Sequence, residues 1–199
     1  MRWPWVGRER EGYAAPLACR TFVPMIPPDL VPENCPWPVV LGLDPGTLCA
    51  GYGAIVVAPD GPRLLTCGIF QPPRALPIAQ RLGRIQAELE ELLAALRPSH
   101  VAIEGGYGAP NIKSALRLGE ARGMMLATCG RRGLAIVEIP PASAKRAVVG
   151  TGSGSKEQVA AMVWRHLDRA PEEVPEDATD ALAVALAHVR RNLTGIATR

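Results

Sequence analysis

The segment VVLGLDPGT, residues 39–47, decides how this chain folds. Its first five residues are apolar or small, which predicts a buried strand, and Asp44-Pro45-Gly46 predicts the turn that ends it. A carboxylate at the end of an apolar strand faces the crevice in which α/β sheets commonly hold their ligands. Asp44 is therefore the first candidate site residue, with an ordinary turn aspartate as the alternative.

Two further strands are predicted directly after this segment. Residues 51–58 (GYGAIVVA) and residues 64–70 are rich in apolar and β-forming side chains, and Asp60-Gly61 predicts the turn between them. Together with residues 39–44 they predict a three-stranded antiparallel meander.

The rest of the chain alternates between helical and strand patterns. Compact apolar runs predict strands at 100–104 and 134–139. Five helices are expected, over residues 77–97, 111–131, 142–149, 156–167 and 177–192. Gly119 and Gly123 predict a soft break within the second of them. The predicted fold class is α/β: a five-stranded mixed sheet, with a meander of strands 1–3 followed by parallel strands, flanked by helices.

The ends of the chain differ from its centre. Residues 1–37 contain many prolines and three of the four tryptophans but show no sustained periodicity, so they predict an irregular N-terminal extension. A folded domain is expected over residues 38–193, with a short C-terminal tail at 194–199.

Composition narrows the class of protein. Hydrophobic residues make up 48% and charged residues 21%, which is typical of a globular domain. The sequence has neither a long apolar span nor a signal-peptide pattern at its start, so we expect a cytoplasmic protein without membrane partners. Five cysteines without a C-x-x-C pair argue against a disulfide framework or a structural zinc. The net charge of +3 is uninformative, but residues 111–132 are locally basic.

Three further acidic residues are candidate site residues. Glu104 ends a predicted strand in VAIEGG, as Asp44 does, although a solvated glutamate would look the same. Asp177 and Asp180 lie one turn apart at the start of the last helix, where aspartate also interacts favourably with the helix dipole. The apolar run that follows them, residues 181–187, must be buried, so this pair lies at the entrance to the core.

Four carboxylates drawn together repel one another unless cations lie between them. Hard divalent ions such as Mg²⁺ or Mn²⁺ prefer oxygen ligands. A pair of such ions can activate water and stabilise the leaving oxygen in phosphoryl displacement. The four acids therefore predict a metal-dependent phosphodiesterase with two Mg²⁺ ions in each site, which Mn²⁺ can replace.

At this point the sequence resembles the RuvC family of Holliday junction resolvases, within the ribonuclease H-like fold. The resemblance rests on four phrases in family order: LGLDPGT followed by GYG, VAIEGGYGAPNIKSALRLGEARG, SAKRAVVGTGSGSKEQV and DATDALAVALAH. It implies that Asp44, Glu104, Asp177 and Asp180 bind the metal ions. It also implies a homodimer that places paired nicks across a four-way DNA junction during recombination and repair, with a branch-migration motor complex as a further partner.

The same resemblance suggests DNA contacts. Tyr107 matches an aromatic residue near the opened bases of the junction, where a ring can stack, although it could instead cap the loop below it. Lys145 and Lys156 match basic residues near the scissile strand, although each could be a plain surface lysine. The start of the second predicted helix adds three candidates, Asn111, Lys113 and Arg117. The sequence departs from the family pattern in its N-terminal extension, at Gly105-Gly106 and at Pro110.

Three alternative functions remain open. An Asp-x-Gly-Thr hairpin also marks actin-like ATPases and sugar kinases, but those proteins need a second such hairpin, which this sequence lacks. A related nuclease of the same fold could act on RNA or on other branched DNA. A binding protein that has lost its activity is the third alternative, and four intact acids argue against it.

Overall fold

A central sheet lies between two layers of helices in the computed structural model, which describes residues 31, 35–106, 111–167 and 174–192. The elements, in chain order, are β1 (Val39–Asp44), β2 (Ala50–Ala58), β3 (Gly61–Phe70), α1 (Ile78–Leu96), β4 (His100–Glu104), α2 (Ile112–Arg131), β5 (Ala135–Ile139), α3 (Pro141–Val149), α4 (Lys156–His166) and α5 (Glu176–Asn192). Among the helices of these ranges, none is both long and apolar enough to cross a membrane.

The sheet confirms the predicted mixed topology. Its strand order is β3-β2-β1-β4-β5. The pairs β1–β2 and β2–β3 are antiparallel, whereas β1–β4 and β4–β5 are parallel. Strand β3 begins at Gly61, three residues before the predicted start, because Gly61 pairs with Ala58 across a tight turn and adopts a φ of 133°. The carboxyl ends of β1 and β4 consequently lie side by side.

The expected break in α2 is wrong. This helix runs without interruption from Ile112 to Arg131. Gly119 and Gly123 both lie on its exposed side, and a Cβ atom added at either would meet nothing within 4 Å. Each glycine costs helix stability of about 1 kcal/mol relative to alanine, but strong helix formers around them continue the backbone hydrogen bonds.

The two faces of the sheet bury different helices. Leu41 and Leu43 of β1 point into a core shared with the apolar faces of α1 and α2. Val40, on the opposite face of the same strand, packs in a second core with α4 and α5. This alternation follows from the period of two along a strand. Asp44 shares the Val40 face, so it lies on the α5 side of the sheet.

Helix α5 packs unusually close to the sheet because three glycines form the surface beneath it. Gly42 of β1 pairs with Gly53 of β2, and Asp44 pairs with Gly51. A Cβ atom at Gly42 would overlap the carbonyl oxygen of Ala181, and one at Gly51 would overlap that of Asp177. Most of α5 facing this surface is alanine, so backbone lies against backbone.

Part of the predicted extension is attached to the domain. Val31 is 4% exposed and belongs to the core beneath α1. Its carbonyl oxygen accepts a hydrogen bond from Arg97 Nη2 at 2.6 Å, and Trp37 packs against the same core. The structure does not describe residues 1–30, 32–34 and 193–199, so the proposed division into extension, domain and tail stays a prediction.

The glycine contacts generate a stability prediction. Gly42→Ala and Gly51→Ala should each lower the free energy of unfolding by about 3 kcal/mol, because the new methyl group meets main-chain atoms of α5 that cannot rotate away. Gly83→Ala in α1 is the control: its surroundings are open, and it should raise the free energy by about 0.5–1 kcal/mol. Urea unfolding of the three variants measures both effects. Losses below 0.5 kcal/mol at Gly42 and Gly51 would contradict the close packing.

Candidate metal centre

The four predicted acids converge at one edge of the sheet. Asp44 and Glu104 end the parallel neighbours β1 and β4, on the face that α5 covers. Asp177 and Asp180 lie in the first and second turns of α5. All four side chains are partly buried. The charges of the other three acids all influence Asp44, so the four lie near one another, although only Glu104 is hydrogen-bonded to it.

The position of the aspartate pair follows from the glycine surface. Gly51 is the cross-strand partner of Asp44, and the space left by its missing side chain is occupied by the main chain at Asp177. The start of α5 is thereby held beside the end of β1. A larger residue at position 51 would push Asp177 and Asp180 away from Asp44.

Asp44 carries the largest electrostatic perturbation of the four. Burial raises its pKa to about 8, and the negative charges of Glu104, Asp180 and Asp177 contribute to the rise. A hydrogen bond with Glu104 also raises this pKa, because the protonated Asp44 carboxyl donates to the Glu104 carboxylate. The same hydrogen bond opposes the rise in the pKa of Glu104.

Two lysines act in the opposite direction. Burial raises the pKa of Glu104 and of Asp180, whereas the ammonium groups of Lys145 and Lys156 oppose the rise at both carboxyls. The two lysines and these two acids line a common cavity of about 200 Å³. Its remaining lining consists of apolar or small side chains: Pro141, Ala144, Val159 and Ala183. A cavity lined by both carboxylates and ammonium groups suits a phosphate bound together with a cation.

The donor set fits a hard divalent ion. Every candidate ligand supplies carboxylate oxygens. Burial raises the pKa of Asp44 most, and the charges of the three other acids add to the rise, so a cation would relieve their repulsion. Within the described ranges, no three His, Cys, Asp or Glu side chains are grouped closely enough to hold an ion. Asp44 and Glu104 instead bond to each other, so binding would require these side chains to turn towards the ion.

The predicted DNA-contacting residues divide into two groups. Lys145 and Lys156 line the cavity, and their contact with the scissile strand stays a prediction. The candidates at the start of α2 do not line it: the Asn111 side chain accepts a hydrogen bond from Ser114 N at 2.9 Å as the N-cap, and Arg117 forms an ion pair with Glu120 at 2.8 Å. Lys113 is exposed. Tyr107 lies outside the described residues.

Sequence reasoning missed two contributions to this site. The role of Gly42, Gly51 and Gly53 was not predicted, although glycines in two strands and an alanine-rich helix were visible signals of close packing. Glu176 was not considered either. It precedes Asp177 and forms an ion pair with Lys156, and no local pattern distinguishes it from a solvated first-turn glutamate.

The carboxylate cluster predicts how stability depends on pH in metal-free protein. The unfolded chain releases the Asp44 proton near pH 4, whereas the folded protein keeps it to about pH 8. The folded state binds more protons in between, so the free energy of unfolding should fall as pH rises through this window. Because solvent screens these partly exposed groups, we expect a loss of about 1–3 kcal/mol.

Thermal unfolding in EDTA between pH 5 and pH 9 measures this effect. Asp44→Asn should flatten the profile and be more stable than the parent protein at pH 8. Mg²⁺ should stabilise the parent at pH 8 much more than the variant. Identical pH profiles for the two proteins would mean that the acids do not interact as described.

Comparison with known proteins identifies the family. The family model described as crossover junction endodeoxyribonuclease RuvC matches residues 40–188. The RuvC of Chlorobaculum parvum is 41% identical over 159 residues, covering 79% of this chain and 85% of the relative. That of Halorhodospira halophila is 45% identical over 151 residues, covering 75% and 88%.

A solved structure agrees with these relatives. Thermus thermophilus RuvC in complex with a Holliday junction substrate matches with a TM-score of 0.73 and 33% sequence identity. The match covers 79% of this chain and 96% of that chain. The fold is therefore ribonuclease H-like, as predicted, and the carboxylate cavity lies inside the matched region. The chain belongs to the RuvC family of crossover junction endodeoxyribonucleases.

Proposed function

We propose that this protein resolves four-way (Holliday) DNA junctions by metal-dependent hydrolysis of phosphodiester bonds, in recombination and repair. The observation that carries the proposal is the cavity that Glu104 and Asp180 line together with Lys145 and Lys156. In phosphoryl displacement, carboxylates can hold the cations, and ammonium groups can bind the oxygens of the phosphate. Family membership supplies the substrate class.

The four acids are the proposed metal ligands. Asp44, Glu104, Asp177 and Asp180 would hold two Mg²⁺ ions, and Mn²⁺ should replace them. When bound, the ions would supply activation of the attacking water and stabilisation of the leaving oxygen. The contribution of the protein is to hold these carboxylates in a partly buried cluster whose mutual repulsion favours cation binding.

The lysines are proposed to bind the scissile phosphate. Lys145 lies in the middle of α3 and Lys156 begins α4, so two helices deliver ammonium groups to one cavity. Both can offset negative charge that develops on the phosphoryl oxygens. Tyr107, Asn111, Lys113 and Arg117 remain predicted DNA contacts on the family resemblance, with Tyr107 assigned to stacking on an opened base.

The proposal includes a homodimer, because paired nicks on two strands need two active sites. Ile112 is 81% exposed and Leu116, one helical turn later, is 63% exposed. Gly119 and Gly123 continue the same side of α2 with open space around them. This surface of apolar and small residues on α2 suits a two-fold contact between two copies of the chain. A branch-migration motor complex as a partner, and the cytoplasm as the compartment, follow from the resemblance alone.

The catalytic prediction concerns Asp44→Asn. Junction nicking should fall about a thousandfold or more, equivalent to about 4 kcal/mol of transition-state stabilisation, because a metal ligand is lost while the shape is kept. Junction binding should persist, since the substitution adds no negative charge near the phosphates. Asp60→Asn is the matched control: that exposed aspartate of the β2–β3 turn forms an ion pair with Arg63, far from the cavity in sequence and sheet position. Turnover by Asp44→Asn near that of the control would refute the assignment.

A substrate panel separates the alternative functions. The parent protein should cut a four-way junction symmetrically in Mg²⁺ or Mn²⁺ and leave linear duplex DNA largely intact. Preferential cutting of RNA-containing or three-way substrates would favour the related nuclease, and hydrolysis of ATP would favour the actin-like alternative. Tight junction binding without cutting in either metal would indicate the inactive binding protein.

The dimer prediction concerns Leu116→Glu. A charge at the centre of the apolar surface should convert the protein to a monomer in sedimentation equilibrium at micromolar concentration, because two carboxylates would be buried against each other. Ala87→Glu on the exposed side of α1 is the matched control and should leave the dimer intact. A parent protein that is monomeric yet makes paired cuts would count against this interface.

A further inference from the structure

One of the two cavity lysines already has an acidic partner. Lys156 is the first residue of α4 and Glu176 is the first residue of α5. Lys156 Nζ forms an ion pair with Glu176 Oε1, and both side chains are more than half exposed, at 63% and 53%. Lys156 lines the cavity, whereas Glu176 does not. The ion pair therefore lies at the rim, between the cavity and solvent.

The same ammonium group also influences the cavity acids. Its charge opposes the rise in the pKa of Glu104 and is the largest influence opposing that of Asp180. Lys156 is thus close enough to serve the proposed reaction and close enough to be held by Glu176. The second lysine, Lys145, is half-buried on α3. Within the part of the chain that the structure describes, it forms no ion pair.

The backbone of Lys156 is fixed, so only its side chain can change partner. Ser155 caps α4: its hydroxyl oxygen accepts from Gln158 N at 3.3 Å, and its own N–H donates to Gln158 Oε1 at 2.9 Å. This reciprocal capping box holds the first turn of the helix. A flexible four-carbon stem then lets the ammonium group move between an exposed carboxylate and a phosphate without moving the helix.

We propose that Glu176 is a positioning residue that holds Lys156 at the cavity rim and competes with the DNA phosphate for its ammonium group. This inference rests on the proposed function, since it assumes that Lys156 contacts the substrate backbone. Binding of a junction then requires Lys156 to leave Glu176. The ion pair consequently lowers the affinity for DNA and makes that affinity less dependent on salt.

The size of the effect is bounded by the exposure of the pair. Exposed ion pairs are weak, so releasing Lys156 should tighten junction binding by about two- to fivefold at low salt. Each lysine that neutralises a phosphate steepens the plot of log affinity against log salt concentration by about 0.9. Removing the competing carboxylate should steepen it by a part of that amount, because salt already weakens the Lys156–Glu176 pair.

The experiment measures junction affinity for the full-length protein without divalent metal, so that no DNA is cut. Glu176→Gln should bind a four-way junction two- to fivefold more tightly than the parent at about 50 mM salt, and nearly equally at about 300 mM. Glu157→Gln is the matched control. That residue adjoins Lys156 in the same helical turn, but its carboxylate accepts a hydrogen bond from Ser155 Oγ at 2.7 Å. It should shift the affinity less than twofold.

A double-mutant cycle separates the pair from a general change in charge. Lys156→Met removes the ammonium group and keeps the stem, and it should weaken junction binding. In that background Glu176→Gln should change the affinity by no more than Glu157→Gln does. Thermal unfolding of each variant confirms that its fold is retained.

The outcomes distinguish this inference from the proposed function. A parent protein that neither binds nor cuts junctions would overturn the function itself. A parent that cuts junctions, with equal affinity and equal salt dependence in Glu176→Gln, would overturn only the competition. The competition is also overturned if Glu176→Gln gains the same affinity in the Lys156→Met background, or if it chiefly raises the Mg²⁺ concentration needed for cutting, since Glu176 would then belong to the metal centre.

Discussion

Helix α5 lies in backbone contact with β1 and β2, and the rest of the structure depends on that contact. It is possible only because Gly42, Gly51 and Gly53 present no side chains beneath the helix. Ala181 and Ala185 face Gly42, so the helix lies closer to the sheet than larger side chains would allow. Close packing of this kind leaves no room for adjustment, since protein interiors are as dense as organic crystals.

The same contact creates electrostatic repulsion within the proposed metal site. By drawing Asp177 and Asp180 towards Asp44 and Glu104, the fold concentrates negative charge in a partly buried place. The free energy of that repulsion has to be supplied by packing elsewhere, above all by the two hydrophobic cores on the two faces of the sheet. Functional sites commonly carry such local instability, and it is what gives a cation its affinity.

Positive charge at the cavity is delivered separately from the acids. The carboxylates come from strand ends and from the start of α5, whereas the lysines come from α3 and α4. The acids are therefore fixed by the sheet and by close packing, while Lys156 sits on a capped but exposed helix end. The main chain that carries the acids is therefore fixed more firmly than the side chain of Lys156.

Local patterns in the sequence determined most of the elements and all four acids. Strands 39–44 and 100–104 are short apolar runs ended by an acid, and the helices follow the spacing of their apolar residues, so no distant contact was needed to predict them. The prediction that these acids converge rested on the resemblance of four sequence segments to a known family.

The features that only the tertiary structure decided involve residues far apart in the chain. Long-range packing, which local periodicity does not encode, decides three features of the structure. It places the main chain of α5 against Gly51, it brings Val31 into the core, and it pairs Lys156 with Glu176. The continuity of α2 through Gly119 and Gly123 was decided in the same way, because neighbouring helix formers outweigh two exposed glycines once the helix is packed against the sheet.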